Sequence, residues 1–155
     1  FLLFVSSLAS LTLSGCSSSL VIEWHEDGVT KYSQGRSANG ERSGRYGLWT
    51  FWYENGNKWM EGRYEEGERE GAWTWWYENG NKSQFGAFMG GQRNSPFTYW
   101  YANGMKSQEV TFVNGERNGL EITWYEGEQG KNSRERRFRD GKQYGGDAWK
   151  VLAEN

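Results

Sequence analysis

Tryptophan recurs at positions 52, 76, 100 and 124, each 24 residues from the last, and its surroundings recur with it. Residues 47–70, 71–94 and 95–118 read GLWTFWYENGNKWMEGRYEEGERE, GAWTWWYENGNKSQFGAFMGGQRN and SPFTYWYANGMKSQEVTFVNGERN. A degenerate copy lies around Trp24, 28 residues before Trp52, and another runs from Gly119 to Tyr144 with two extra residues near its turn. Units this short cannot bury a face alone, so five of them imply an array in which each is stabilised by its neighbours.

Each unit reads as a β-hairpin. The run Thr50-Phe51-Trp52-Tyr53 favours a strand, and the Asn55-Gly56 that follows is the strongest short signal for a type I′ turn. A two-residue loop there pairs Tyr53 with Lys58, Phe51 with Met60, Trp49 with Gly62 and Gly47 with Tyr64, all on one face. The other face then carries Trp52 opposite Trp59, Thr50 opposite Glu61 and Leu48 opposite Arg63. The first face is mostly aromatic, with large rings lying over glycine, and the second holds one Trp column among polar groups. Gly67 is again a turn signal, and Pro96 suits a strand start or an edge. Stacked hairpins give an all-β fold, an elongated, twisted antiparallel meander. Columns such as Trp49/Trp73/Phe97 and Tyr64/Phe88/Phe112/Phe138 run along it.

Composition agrees. After residue 15 there are 25 aromatic residues but only 11 Leu, Ile or Val, which excludes a helical bundle or a doubly wound α/β fold and argues against disorder. A net charge of −2 gives no reason to expect nucleic acid. Phe1 to Leu13 is apolar and uncharged, and Leu13-Ser14-Gly15-Cys16 follows it. An apolar stretch of that length is a signal peptide rather than a membrane span. Its ending resembles the bacterial lipoprotein lipobox, although no initiator Met or basic segment precedes it. The resemblance implies that Cys16, the only Cys of the chain, is acylated and anchors the protein in the cell envelope. The expected organisation is a signal peptide with its start missing over 1–15, a tether over 16–22, repeats over 23–144, and a cap or tail over 145–155.

The pattern G-x-W-T-x-W-Y-x-N-G-x-K, followed by an aromatic residue and G-E-R-x-G, resembles the MORN-type repeat, and most closely its bacterial variant form. The match is good over 47–118 and weaker over the flanking units. The resemblance implies a repeat β-sheet used for binding or scaffolding, without catalytic residues. Some bacterial members carry an antitoxin-like label, which brings an immunity role into consideration. The choline-binding repeat is also an aromatic hairpin, but its cage Trp is missing at Gly62-Arg63 and Gly86-Ala87.

Little else points to chemistry. His25 is the only histidine and has neither a nucleophile nor a metal cluster around it. Carboxylates such as Glu54, Glu78 and Glu126 sit beside turns, where acidic residues usually keep hairpin ends soluble. The basic run Arg134–Arg139 reads either as the solvated face of an end strand or as a contact for anionic lipid or an acidic partner. No enzyme activity, cofactor or metal is expected. The aromatic faces are the binding candidates, namely Trp49, Trp52, Trp73, Trp75, Trp76, Tyr99, Trp100 and Trp124. The first expectation is a protein or peptide partner along the sheet. The second is a glycan or cell-wall polymer stacked on the rings.

Overall fold

The computed structural model describes residues 19–28, 30–38, 44–125 and 132–151. Cys16 and the apolar stretch before it lie outside the described residues. The strands are β1 (Ser19–Trp24), β2 (Lys31–Ser37), β3 (Arg45–Trp52), β4 (Lys58–Glu65), β5 (Glu68–Trp76) and β6 (Lys82–Met89), then β7 (Gln92–Arg93), β8 (Pro96–Trp100), β9 (Lys106–Val113), β10 (Glu116–Trp124), β11 (Asn132–Arg139) and β12 (Lys142–Val151). They form one antiparallel meander in which sequence neighbours pair, with β7 attached to β6 beside β8. The expected all-β repeat array is therefore the fold.

The two ends of each hairpin use different turns. At the Asn-Gly end, Gly56 N–H donates to the Tyr53 carbonyl (3.0 Å) and Tyr53 N–H to the Asn57 carbonyl (2.9 Å). Only Gly56 there has positive φ, at 82°, so the turn is not type I′, which needs positive φ at both central residues. It is a three-residue loop closed by a left-handed glycine. The same bonds recur at Tyr77–Asn81 and Tyr101–Met105. The type I′ turns lie at the opposite end, at Glu66-Gly67 (φ 50° and 84°) and Asn114-Gly115 (50° and 84°).

The longer loop changes the pairing. Trp52 lies opposite Lys58 rather than Trp59, and a bulge at Trp59 then restores Phe51↔Met60, Trp49↔Gly62 and Gly47↔Tyr64. The bulge turns Trp59 toward the aromatic face, against Phe51 at 6.3 Å and Tyr53 at 6.2 Å. A second bulge between repeats, at Gly62/Arg63, absorbs Gly71 and Ala72. Where Ser95 and Pro96 replace that Gly-Ala pair, the strand breaks into β7 and β8.

The core is the aromatic face of this single sheet, and two rows build it. One row alternates rings with glycine: Trp49, Gly62, Trp73 and Gly86 are paired in turn. Trp73 and Phe97 are 0% exposed and Trp49 1%. Each ring lies on the glycine of the strand before it. A Cβ on Gly62 would stand 2.2 Å from the Trp73 indole, and one on Gly35 2.2 Å from that of Trp49. Thus Trp73, not Trp49, covers Gly62. Each indole N–H also donates to the carbonyl just after its glycine, Trp49 to Arg36 (2.9 Å) and Trp73 to Arg63 (3.0 Å).

The second row alternates rings with arginine. Tyr64 pairs with Arg69, Phe88 with Arg93 and Phe112 with Arg117. The Arg69 guanidinium lies over Trp73, Trp75 and Phe88 at 4.9, 5.6 and 5.4 Å, and Arg45 covers Trp49, Phe51 and Tyr64 in the same way. Planar arginine, which sheds water readily and stacks on rings, does the covering that a second layer would otherwise do.

The ends of the array differ from the sequence reading in two places. Ser19 to Ile22, read as tether, belong to β1, because Val21 packs on the core opposite Gly35. The stretch read as a cap from 145 continues β12 as far as Val151, paired with β11. β11 is consequently an inner strand.

Candidate interaction surfaces

The repeated residues of the turn prove to be joints between units. Tyr53 Oη donates to the Trp76 carbonyl (2.8 Å), Tyr77 to Trp100 (2.7 Å) and Tyr101 to Trp124 (2.8 Å). Asn55 and Asn57 both donate to the Glu78 carbonyl, and Asn79 and Asn81 both donate to that of Ala102. Burial raises the Tyr53 hydroxyl pKa above its ordinary value, and the Glu78 charge adds to the rise. His25 occupies the tyrosine slot of the first unit, with Nε2–H donating to the Trp52 carbonyl at 3.1 Å. At the opposite end, Gly67, Gly91, Gly115 and Gly141 N–H groups donate to the carbonyls of Arg45, Arg69, Arg93 and Arg117. The arginine column was missed in the sequence reading, although its own period of 24 could have revealed it.

The binding candidates divide between the two faces. Trp49 and Trp73 are core and have no ring surface to offer a partner. Trp75 and Tyr99 are half-buried at the margin of the same face, packed against it; burial raises the Tyr99 pKa against the lowering charges of Arg93 and Arg117. Trp52, Trp76, Trp100 and Trp124 lie half-buried on the opposite face. There they alternate with lysines in register, Trp52 with Lys58, Trp76 with Lys82 and Trp100 with Lys106. Successive indoles are separated by two strands, about 9.6 Å. Lys58 Nζ lies 5.6 Å from the Trp76 ring and Lys106 5.9 Å from Trp124. Both lysines also pair with carboxylates, Glu61 and Glu109. Burial raises the Glu61 pKa, but hydrogen bonds from Lys58 and Thr50 outweigh it and hold the group below its usual value. Exposed apolar side chains on this face include Leu48, Phe85 and Leu120.

The basic run of β11 is largely engaged. Arg134 pairs with Asp147 and lowers that carboxyl's pKa. Arg136 pairs with the fully buried Glu121, Arg139 lies 5.2 Å from the Tyr144 ring, and Arg137 is exposed. Among the described residues, no group of three or more His, Cys, Asp or Glu could hold a metal.

A one-sheet array laminated by its own turns, with one face consumed as core, defines a repeat β-scaffold. The MORN repeat variant family model matches residues 45–66 and 69–84, so this part of the array is similar to MORN repeats. No curated protein matches the sequence.

Proposed function

We propose that this is a lipid-anchored, non-enzymatic scaffold of the cell envelope that binds a protein or peptide along the polar face of its sheet. The observation that carries this reading is the division of labour between faces. Rings on one face are spent on stability, whereas the other presents a regular Trp–Lys lattice with exposed Leu48, Phe85 and Leu120. Contiguous apolar surface marks interaction sites, and on this face the repeated half-buried Trp row supplies a continuity that three separate side chains would not. A glycan stacked on the Trp row is less well supported, because Lys58 and Lys106 already lie over the Trp76 and Trp124 rings. A photo-crosslinking residue at Phe85 should capture one discrete protein in intact cells, and the same residue at Glu116, on a hairpin tip, should not. Retention on envelope polysaccharide that disappears when Trp52, Trp76 and Trp100 become Ala would replace this reading with the glycan one. For the anchor, fatty-acid label should enter the parent and not Cys16→Ala; equal labelling would remove the lipid from the proposal.

A further inference from the structure

One junction of the array is built differently from the others. An open hollow of about 560 Å³ lies across the turn ends of the first three hairpins, lined by Trp52, Tyr53, Asn55 and Trp59 with His25, Glu54 and Glu78. Three departures from the repeat create it. The bulge position holds Trp59, where the next two units have Ser83 and Ser107. The turn residue of this unit and that of its neighbour are both glutamates, Glu54 and Glu78, whereas the following junction brings Glu78 together with Ala102. The slot filled elsewhere by tyrosine holds the smaller His25, already committed to the Trp52 carbonyl.

The lining has one electrostatic sense. Tyr53 and Trp59 form an angled pair, with centroids 6.2 Å apart and planes at 48°. Aromatic faces attract cations, by about 0.5–2 kcal/mol each. Among the described residues, neither the Glu54 nor the Glu78 carboxylate has an ion-pair partner, and no Lys or Arg lines the hollow. The nearest lysine in sequence, Lys58, is turned to the other face, onto Trp76 and Glu61. Rings with two unpaired carboxylates repel anions and attract cations. A bare metal ion would find too few oxygen ligands.

We infer that this hollow binds a substituted ammonium group, either on a lysine side chain of a peptide or as a small quaternary amine. The hollow meets the polar face at Trp52, but the inference does not depend on that face having a partner. The experiment follows indole N–H signals by NMR while the full chain is titrated with tetramethylammonium chloride, with a trimethyllysine peptide, and with sodium chloride as the ionic-strength control. Saturable shifts with the ammonium compounds and none with sodium are expected. Trp59→Ser and Glu78→Ala copy residues the next junction already carries, and each should weaken binding at least about tenfold. Glu78→Gln keeps the side chain's size while removing its charge, so its loss of binding cannot be put down to misfolding. A peptide bound more tightly than tetramethylammonium identifies a protein source for the cation, and tetramethylammonium bound alone identifies a small amine. No saturation by the parent, or equal affinity in the folded Trp59→Ser and Glu78→Gln variants, would overturn the inference.

Discussion

The central units and the last one share a register but fill it with different chemistry. In the centre, Trp49, Trp73 and Phe97 lie flat on Gly35, Gly62 and Gly86. One repeat later the same row holds Val110, Glu121 and Arg136, paired side by side. Glu121 is 0% exposed and is held between Arg117 (3.3 Å) and Arg136. A flat ring needs a neighbour without a Cβ, and where the preceding strand offers Val110 no ring can lie down. An ion-paired carboxylate fills the row instead. The lesson is that the backbone tolerates either filling, while the glycine of one strand decides what the next strand can bury.

Breaking the ring side should cost most. Trp73→Ala removes a fully buried indole and its hydrogen bond, and should destabilise by about 4 kcal/mol, read as a lower midpoint in urea unfolding. Gly62→Ala forces a methyl to within 2.2 Å of that indole, which is too well enclosed to move away; about 3 kcal/mol should be lost. The charged side should be more forgiving. Glu121→Ala strands Arg136, but that side chain keeps 24% exposure and can rehydrate, so about 2 kcal/mol is expected in the same assay. An equal or larger loss than for Trp73→Ala would mean that the two fillings are energetically equivalent.

Joints between units should rank lower. Tyr77→Phe deletes the donor to the Trp100 carbonyl without changing the ring, and should cost about 1 kcal/mol. The smallest effect is on pH. The Glu61 carboxyl is held below its ordinary value of 4.5, so its contribution is complete above that value and disappears as pH falls through its lower folded one. Because the pair is partly solvated, Glu61→Gln should flatten the acid limb of the stability curve by well under about 1 kcal/mol. A steeper acid limb in the variant would reverse the assignment.

Particular residues show how far the sequence could be read. Phe51↔Met60 and Trp49↔Gly62 follow from period-two alternation counted back from the turn, and both pairs are present. Trp52↔Trp59 failed because Asn55 does not take the left-handed conformation a type I′ turn demands. Its side chain instead accepts from Asn57 N–H and donates across to the next unit. The turn is thus held both from within the unit, by the Asn57 N–H, and from the next hairpin, by the Glu78 carbonyl. The surface candidates divided for a related reason. Trp49 and Trp52 look alike in sequence, and only the arginine cover and the glycine beneath distinguish a buried indole from a half-exposed one.

The sequence by itself determined the period, the hairpin, the facing pairs away from the Asn-Gly turn and the single-sheet array, because these depend on local spacing that repeats. Tertiary structure alone decided which face is core and where the row changes from rings to an ion pair. It also decided that the turn ends of the first three hairpins open into a hollow. Each of those outcomes depends on what the next strand places about 4.8 Å away, and strand spacing is a property of the assembled sheet.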